Sequence, residues 1–272
     1  MTGPAATVEL PHASPATAAR TFFAVLWRDV FVTGRELLPF LAQVVVQPFF
    51  MLFIFGKVLT GIGYVQGNFA QILLPGMVAL TGFLTGLQNT TMPLILDFSW
   101  TREIEDRLLA PMPIPLVALE KVVFGALRGI VAALLIVPIG YLILSGIHWP
   151  ASAWPGVLGL IVLGSLAGAS IGMTIGTLVQ PRRIQIMFAV VLMPLMFTGS
   201  TQFPWFGLTN LRWFQVICAL NPLTYVSEGM RSLLLAGQIR SIPLWIDIPV
   251  IVLALAVFLA IGVKGFLHRA LD

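Results

Sequence analysis

Hydrophobic positions along the chain form long runs, separated by short clusters of charged and turn-forming residues. A helix needs about 20 mainly apolar residues to cross the hydrocarbon of a bilayer. Six runs reach or approach this length, near residues 37–59, 69–96, 117–146, 155–178, 184–202 and 246–266. The pattern therefore predicts six transmembrane helices.

Composition excludes a water-soluble protein. Of the 272 residues, 58% are hydrophobic and 10% are charged, and the mean hydropathy is +0.97, whereas soluble domains carry about 25% charged residues. A bilayer solvates such apolar surface directly. The predicted fold class is an all-α integral membrane protein, with six transmembrane helices, an N-terminal amphipathic interfacial helix and an outer re-entrant helical hairpin between spans 5 and 6.

Basic residues beside the span ends predict the orientation, because cytoplasmic loops carry an excess of Lys and Arg. With the N-terminus inside, eleven basic residues are cytoplasmic and four are outside: Lys57, Arg212, Arg231 and Arg240. We therefore expect both termini in the cytoplasm. The net charge of +4 does not indicate nucleic-acid binding, since the basic residues are scattered between apolar runs rather than gathered on one face.

The chain before the first span divides into two parts. Residues 1–19, rich in Ala, Pro and Thr, are expected to be a disordered tail. Residues 20–38 alternate at helical spacing, with Arg28, Asp29 and Arg35 on the polar arc. Such a helix lies flat in the membrane interface. It serves either as an anchor for the first span or as a gate or docking surface, and the pattern favours neither.

A dense charge cluster lies between the second and third spans. As a helix, this segment allows i,i+4 pairs between oppositely charged residues, and its charged members are Arg102, Glu103, Glu105, Asp106 and Arg107. The residues alone favour a solvated loop helix over a surface for a soluble partner.

Residues 203–245 are too long for a turn, and their uncharged part is too short to span. Two short helices are predicted, with Asn221 as N-cap and Pro222 at the first helical position of the second. Glu228 and Arg231, three residues apart, can then pair on one helix face.

The fourth span carries a stripe of small residues at every fourth position. Its members are Gly164, Gly168, Gly172 and Gly176. This stripe predicts close packing with another helix, and a cargo groove is the weaker interpretation. Deeper charges, at Asp97, Glu120, Lys121 and Arg128, are expected to snorkel towards the headgroups, and contact of Arg128 with an anionic lipid or cargo is an alternative.

Several chemistries are not expected. A single cysteine, Cys218, excludes an internal disulfide, and the three histidines are too dispersed for a zinc site. No G-x-x-x-x-G-K-[ST] loop is present, so this chain cannot bind ATP in that way. Clustered residues of the kind that a lipid-modifying enzyme requires are also missing. We expect no catalytic residue, cofactor or metal in this chain.

Together these features resemble the ABC-2 family of exporter permeases, which are membrane subunits paired with a separate ATPase. The resemblance covers about residues 20–269, with a transmembrane domain set at 20–272. It depends on the amphipathic lead-in helix, the charged segment followed by Leu-Leu-Ala-Pro-Met-Pro at 108–113, the six spans, and the Asn-Pro segment at 220–231.

The resemblance implies a homodimer or heterodimer of permeases in the cytoplasmic membrane of a bacterium, bound by two ATPase subunits that carry the ATP and Mg. It makes residues 102–107 a coupling helix, which reverses the preference for a loop helix, and adds Arg182 and Arg183 as a second ATPase contact. It makes 221–231 an outer re-entrant segment, and places the cargo path along the first, second and fifth spans.

The cargo is less constrained by the sequence. The family exports drugs, lipids and lipid-linked glycans, and the scarcity of Tyr, with Trp confined to span ends, favours a lipophilic or amphipathic cargo. An energy-independent channel or secondary carrier is the alternative, although it gives the charged segment and the Asn-Pro segment no role.

Overall fold

The computed structural model describes residues 14–34, 37–64, 69–99 and 112–271, and within these ranges it contains helices, turns and loops but no strand. The α-helices are α1 (Pro15–Gly34), α2 (Leu37–Met51), α3 (Phe69–Ser99), α4 (Ile114–Ile143), α5 (Trp154–Leu178), α6 (Ile184–Thr198), α7 (Arg212–Ala219), α8 (Pro222–Leu234) and α9 (Leu244–Leu271). After α2 the chain continues as a π-helix, Leu52–Val58, and a last helical turn, Leu59–Gly61. Short 3₁₀ turns lie at Ala151–Ala153, Pro181–Arg183 and Trp205–Leu208.

Helices α3, α4 and α5 form the centre of the bundle, and α9 packs against α5. In the most apolar stretch of α3, 78% of the residues are buried inside the protein. The corresponding fraction is 22% for α2 with its continuation and 17% for α9. The large side chains on the outer helices, such as Phe50 and Val190, are exposed. This distribution suits a protein whose surrounding solvent is lipid.

The bundle has two distinct ends. Helices α3 and α5 run in parallel, because Gly168 lies against Phe83 and Gly176 lies against Leu94. One end carries α7, α8 and the beginning of α3 and is called the α8 end. The other end carries α1 and the last residues of α3, α5 and α9, and is called the α1 end. Ala18 and Phe266 belong to one apolar cluster there.

Five helices are long and apolar enough to cross a membrane, which confirms five of the six predicted positions. The sixth, predicted at 184–202, corresponds to α6, which has 15 residues and ends at Thr198. An α-helix of that length rises only about 22 Å, compared with about 30 Å of hydrocarbon. Among the described residues, helix length therefore supports five spans, and α6 is shorter than a full crossing.

The N-terminal helix begins earlier than the sequence suggested. The composition predicts a disordered tail up to residue 19, yet α1 starts at Pro15. The Ser14 Oγ accepts from the Thr17 backbone N–H at 3.2 Å, which satisfies one free donor of the first turn, and proline at the first helical position loses no hydrogen bond. Residues 1–13 lie outside the described part of the chain.

Candidate functional site

Arg231, on α8, occupies the centre of a buried polar cluster at the α8 end. Its side chain is fully buried and donates four hydrogen bonds. Nη1 donates to the Ser200 carbonyl at 2.6 Å and to Glu228 Oε1 at 2.9 Å, Nη2 donates to the Thr201 carbonyl at 2.7 Å, and Nε donates to the Ile72 carbonyl at 3.1 Å. One guanidinium thus joins α8, the beginning of α3 and the segment after α6.

The backbone after α6 is shaped to meet this guanidinium. Ser200 has φ 49°, a left-handed conformation that is uncommon for a residue other than glycine. This conformation ends α6, and the carbonyls of Ser200 and Thr201 accept from Arg231. On the facing helix, Gly76 lies against the Thr201 carbonyl, where a Cβ would collide with the backbone. The strain at Ser200 therefore accompanies a strong set of charge-assisted hydrogen bonds.

The predicted pair of short helices is present as α7 and α8. Asn221 is the N-cap of α8, and its Oδ1 accepts from the Leu223 backbone N–H at 3.0 Å. The Asn221 amide also donates to the Leu195 carbonyl of α6 at 2.8 Å. Pro222 is the first residue of α8. The cap therefore also fastens α8 to α6.

Glu228 and Arg231 form the predicted ion pair, and both side chains are completely buried. Glu228 Oε1 also accepts from the Trp205 backbone N–H at 3.0 Å. Burial lowers the pKa of the Arg231 guanidinium, and the Glu228 carboxylate opposes this change. The pair was expected from its spacing, whereas its complete burial was not.

Asp247, in the first turn of α9, adds a second buried carboxyl beside this cluster. It is completely buried, and neither of its oxygens has a hydrogen-bond partner among the described residues. A Cβ on Gly229 of α8 would lie 3.4 Å from Asp247 Oδ2. No residue pattern indicates this proximity, because a loop separates Asp247 from α8.

At the α1 end, charged residues from three helices form ion pairs with one another. Lys121 of α4 lies 2.7 Å from Asp97 Oδ2 of α3 and 3.8 Å from Asp29 Oδ2 of α1, and Asp29 also pairs with Arg28. The prediction that Asp97, Glu120 and Lys121 snorkel is wrong, because all three are buried between helices.

Two other charged residues that the sequence analysis named have separate outcomes. The Arg128 guanidinium lies 4.5 Å from the ring centre of Phe40 and 5.9 Å from that of Phe124. This contact joins α4 to α2 through a cation–π interaction. Arg35, predicted on the polar arc with Arg28 and Asp29, lies outside the described residues.

Of the two predicted ATPase contacts, only the second lies within the described residues. Arg102, Glu103, Glu105, Asp106 and Arg107 lie outside the described residues, so their interpretation as a coupling helix stays a prediction. Arg182 and Arg183 lie in the 3₁₀ turn Pro181–Arg183, and both are exposed. This turn contacts α3.

The glycine stripe of α5 faces two other helices. Gly168 and Gly172 lie against the backbone carbonyls of Phe83 and Leu87 on α3, so a Cβ at either position would collide with the backbone. A Cβ on Gly176 would lie 2.9 Å from Leu94, and one on Gly164 would lie 2.8 Å from Val226 of α8. The stripe thus lets α3 and α8 approach α5 closely.

A polar cleft between α2 and α3 was missed by the sequence reasoning. It has a volume of about 50 Å³, and its polar lining residues are Gln43, Gln47, Thr81, Thr85, Gln88 and Asn89. Gln47 also donates to Met196 Sδ of α6 at 3.1 Å. The sequence does carry a signal for this cleft: polar residues at positions i, i+4, i+7 and i+8 of the second apolar run, Thr81, Thr85, Gln88 and Asn89, lie on one helix face.

Comparison with known proteins agrees with this architecture. The sequence pattern of the ABC-2 type transporter family matches residues 20–235. The chain is 26% identical to the transport permease ycf38 of Cyanophora paradoxa over 221 residues, which cover 77% of this chain and 72% of that relative. It is 29% identical to the inner membrane transport permease YadH of Escherichia coli K12 over 210 residues, covering 75% and 78%. With a match over most of its length and a bundle of membrane-length helices, the chain belongs to the ABC-2 type transporter family of membrane permeases.

Proposed function

We propose that this chain is the membrane-spanning subunit of an ATP-driven exporter. It moves a lipophilic or amphipathic cargo, such as a drug, a lipid or a lipid-linked glycan, out of the cytoplasm or the inner leaflet of the bacterial cytoplasmic membrane. Two separate ATPase subunits bind ATP and Mg, and a second copy or a paralogue of this chain completes the transporter.

One observation carries this proposal: α3 ends and α4 begins at the same end of the bundle as the turn that carries Arg182 and Arg183. The segment 100–111 follows Ser99 at the end of α3, and the turn with Arg182 and Arg183 follows the end of the parallel helix α5. Both arginines are exposed, and the turn contacts α3. A soluble subunit bound at the α1 end can therefore press on both segments at once.

The positions of the chain ends support six crossings. The first turns of α1 and the last turns of α9 share an apolar cluster, so both ends of the described chain lie on one side, and the number of crossings must be even. Five long helices alone would place them on opposite sides. Helix α6 supplies the sixth crossing, since it starts beside Arg183 at the α1 end and its following segment reaches Arg231.

We assign the α1 end, with both termini, to the cytoplasm, because the excess of basic residues on that side supports this orientation. The α8 end then faces outwards, and α7 and α8 form the outer re-entrant segment. Exposed apolar side chains on α1, such as Phe23 and Trp27, suit a helix that lies in the inner interface.

The cleft between α2 and α3 is the best candidate for part of the cargo path. Gln43 and Gln47 are exposed on an apolar helix, and amide groups facing hydrocarbon would lack hydrogen-bond partners. Its lining combines uncharged polar side chains with apolar ones, which suits an amphipathic cargo with a neutral hydrogen-bonding head. The Gln43→Leu/Gln47→Leu variant should lose the ATP hydrolysis that the total lipid extract of the native membrane stimulates. Unchanged stimulation would exclude this cleft.

The decisive experiment is purification of this chain in mild detergent from its native membrane. We expect an ATPase subunit in equal amount, and ATP hydrolysis by the assembly. If the chain is folded and dimeric but reproducibly lacks an ATPase, the channel or carrier alternative replaces this proposal.

The charged segment is tested in the same assembly. The Glu103→Ala/Arg107→Ala variant should reduce ATP hydrolysis by about fivefold or more, because coupling between two sites commonly has that size. The control variant Lys57→Ala/Arg212→Ala removes two exposed cations elsewhere and should leave hydrolysis unchanged. Equal rates for both variants would contradict the coupling assignment.

A further inference from the structure

Three charged side chains from three helices meet in the interior at the α1 end. Lys121 of α4 lies 2.7 Å from Asp97 of α3 and 3.8 Å from Asp29 of α1. The three side chains are 6%, 10% and 10% exposed, respectively. One ammonium group thus serves two carboxylates, and it lies closer to the carboxylate on α3.

The positions of these residues along the chain are informative. Asp97 precedes Ser99, the last residue of α3, and Lys121 lies seven residues into α4, which begins at Ile114. Seven residues correspond to about 10 Å of helix. Because α3 and α4 lead into and out of the segment 100–111, a force on that segment acts directly on both helices that carry the Asp97–Lys121 pair.

Helix α1 is held to the bundle in two different ways. Ala18, Phe22 and Val25 make apolar contacts with the α1-end cluster, and such contacts are non-directional. The ion pair between Asp29 and Lys121, at 3.8 Å, is longer than a hydrogen bond, but it is largely removed from water, where charges interact more strongly than at the surface. It adds a charge interaction between α1 and α4 to those apolar contacts.

We infer that Lys121 is a positioning residue that transmits movement of the segment 100–111 to the interfacial helix α1 through its contacts with Asp97 and Asp29. This inference rests on the proposed function, since an ATPase must supply the movement. When α3 and α4 shift relative to each other, the shared ammonium changes its distances to the two carboxylates, and α1 follows.

The test measures α1 directly and needs no identified cargo. Ala24, exposed on α1, is replaced by cysteine in a Cys218→Ala background, and the permease with its ATPase is placed in lipid nanodiscs. The rate of modification by N-ethylmaleimide is measured without nucleotide and with ATP plus vanadate. We expect ATP to change the rate when Lys121 is present. Lys121→Met should reduce that change about 2- to 30-fold, the range expected for residues that carry coupling between sites.

Matched variants separate charge from folding. Lys121→Arg keeps the cation and should retain most of the response, whereas the exchange Asp97→Lys/Lys121→Asp restores the pair between α3 and α4 but places two carboxylates side by side at Asp29, and should not restore it. Lys264→Met removes an exposed lysine from α9 and should respond like the parent. An unchanged response in Lys121→Met, or no response to ATP in the parent, overturns the inference while the ATPase association still supports the proposed function. Absence of the ATPase from the parent assembly overturns both.

Discussion

Replacing Arg231 by Met should cause a large loss of stability. The methionine side chain is similar in length but donates no hydrogen bond, so the carbonyls of Ile72, Ser200 and Thr201 lose a charged donor. Glu228 remains buried with only the Trp205 N–H at 3.0 Å. Removing one partner of a buried ion pair costs about 3–5 kcal/mol, and we expect the free energy of unfolding to fall by that amount.

The interaction between the two charges can be measured separately. Glu228→Gln keeps an oxygen that accepts from Trp205 while removing the negative charge. In the Arg231→Met/Glu228→Gln variant no uncompensated charge remains, so its loss should be smaller than the sum of the two single losses by about 1–3 kcal/mol. Arg231→Lys should be intermediate, because one ammonium cannot reach acceptors on α3 and on the segment after α6 together.

The assay is equilibrium unfolding by SDS in mixed micelles, followed by tryptophan fluorescence. Arg212→Met is the matched control: Arg212 is exposed at the start of α7, and its loss should change stability by less than about 0.5 kcal/mol. A cost below about 1 kcal/mol for Arg231→Met, the size typical of an exposed pair, would refute the reasoning. Strict additivity in the double variant would refute the role of the ion pair.

Three further outcomes follow from burial and packing. Gly168→Ala should destabilise the protein by about 1–3 kcal/mol or more, because the new Cβ meets the Phe83 carbonyl. The control Gly159→Ala, where a Cβ has no neighbour within 4 Å, should be neutral or stabilise the protein by up to about 1 kcal/mol. Similar losses of stability for both variants in thermal unfolding would contradict the packing of α5. Cys218 should react slowly with a permeant maleimide, since it is buried and burial raises the pKa of its thiol; mass spectrometry of the labelled chain tests this. Cysteines at Ser152 and Gln238, both exposed, should react from outside intact cells in a Cys218→Ala background, and labelling only after permeabilisation would reverse the orientation.

The sequence was sufficient to predict those elements that depend only on neighbouring residues. The long apolar runs identified five spans, and Asn221-Pro222 marked the start of α8 because capping depends on adjacent residues. The spacing of Glu228 and Arg231 indicated their pairing. The early start of α1 also has a local cause, the Ser14-Pro15 pair within the predicted tail.

The contacts that were missed join residues from distant parts of the chain. Lys121 was expected to extend to the headgroups, because the sequence shows its depth but not the carboxylates that α1 and α3 place beside it. Arg231 was expected to pair with Glu228, yet three of its four acceptors are backbone carbonyls elsewhere, and one of them depends on the left-handed conformation of Ser200. Such contacts follow from packing, which the residue pattern of a single helix does not encode.

Helix α3 connects the two polar clusters, and this arrangement leads to a last prediction. Its Ile72 carbonyl accepts from Arg231 at one end, its threonines line the cleft in the middle, and Asp97 pairs with Lys121 at the other end. Ile72 and Asp97 are about 37 Å apart along the helix. In SDS unfolding, Arg231→Met and Lys121→Met should therefore have additive effects to within about 0.5 kcal/mol, as distant sites do. The response of α1 to ATP should be reduced in Lys121→Met and persist in Arg231→Met, because the contacts that transmit the movement all lie at the α1 end. Loss of the response in Arg231→Met would show that α3 also couples the two ends.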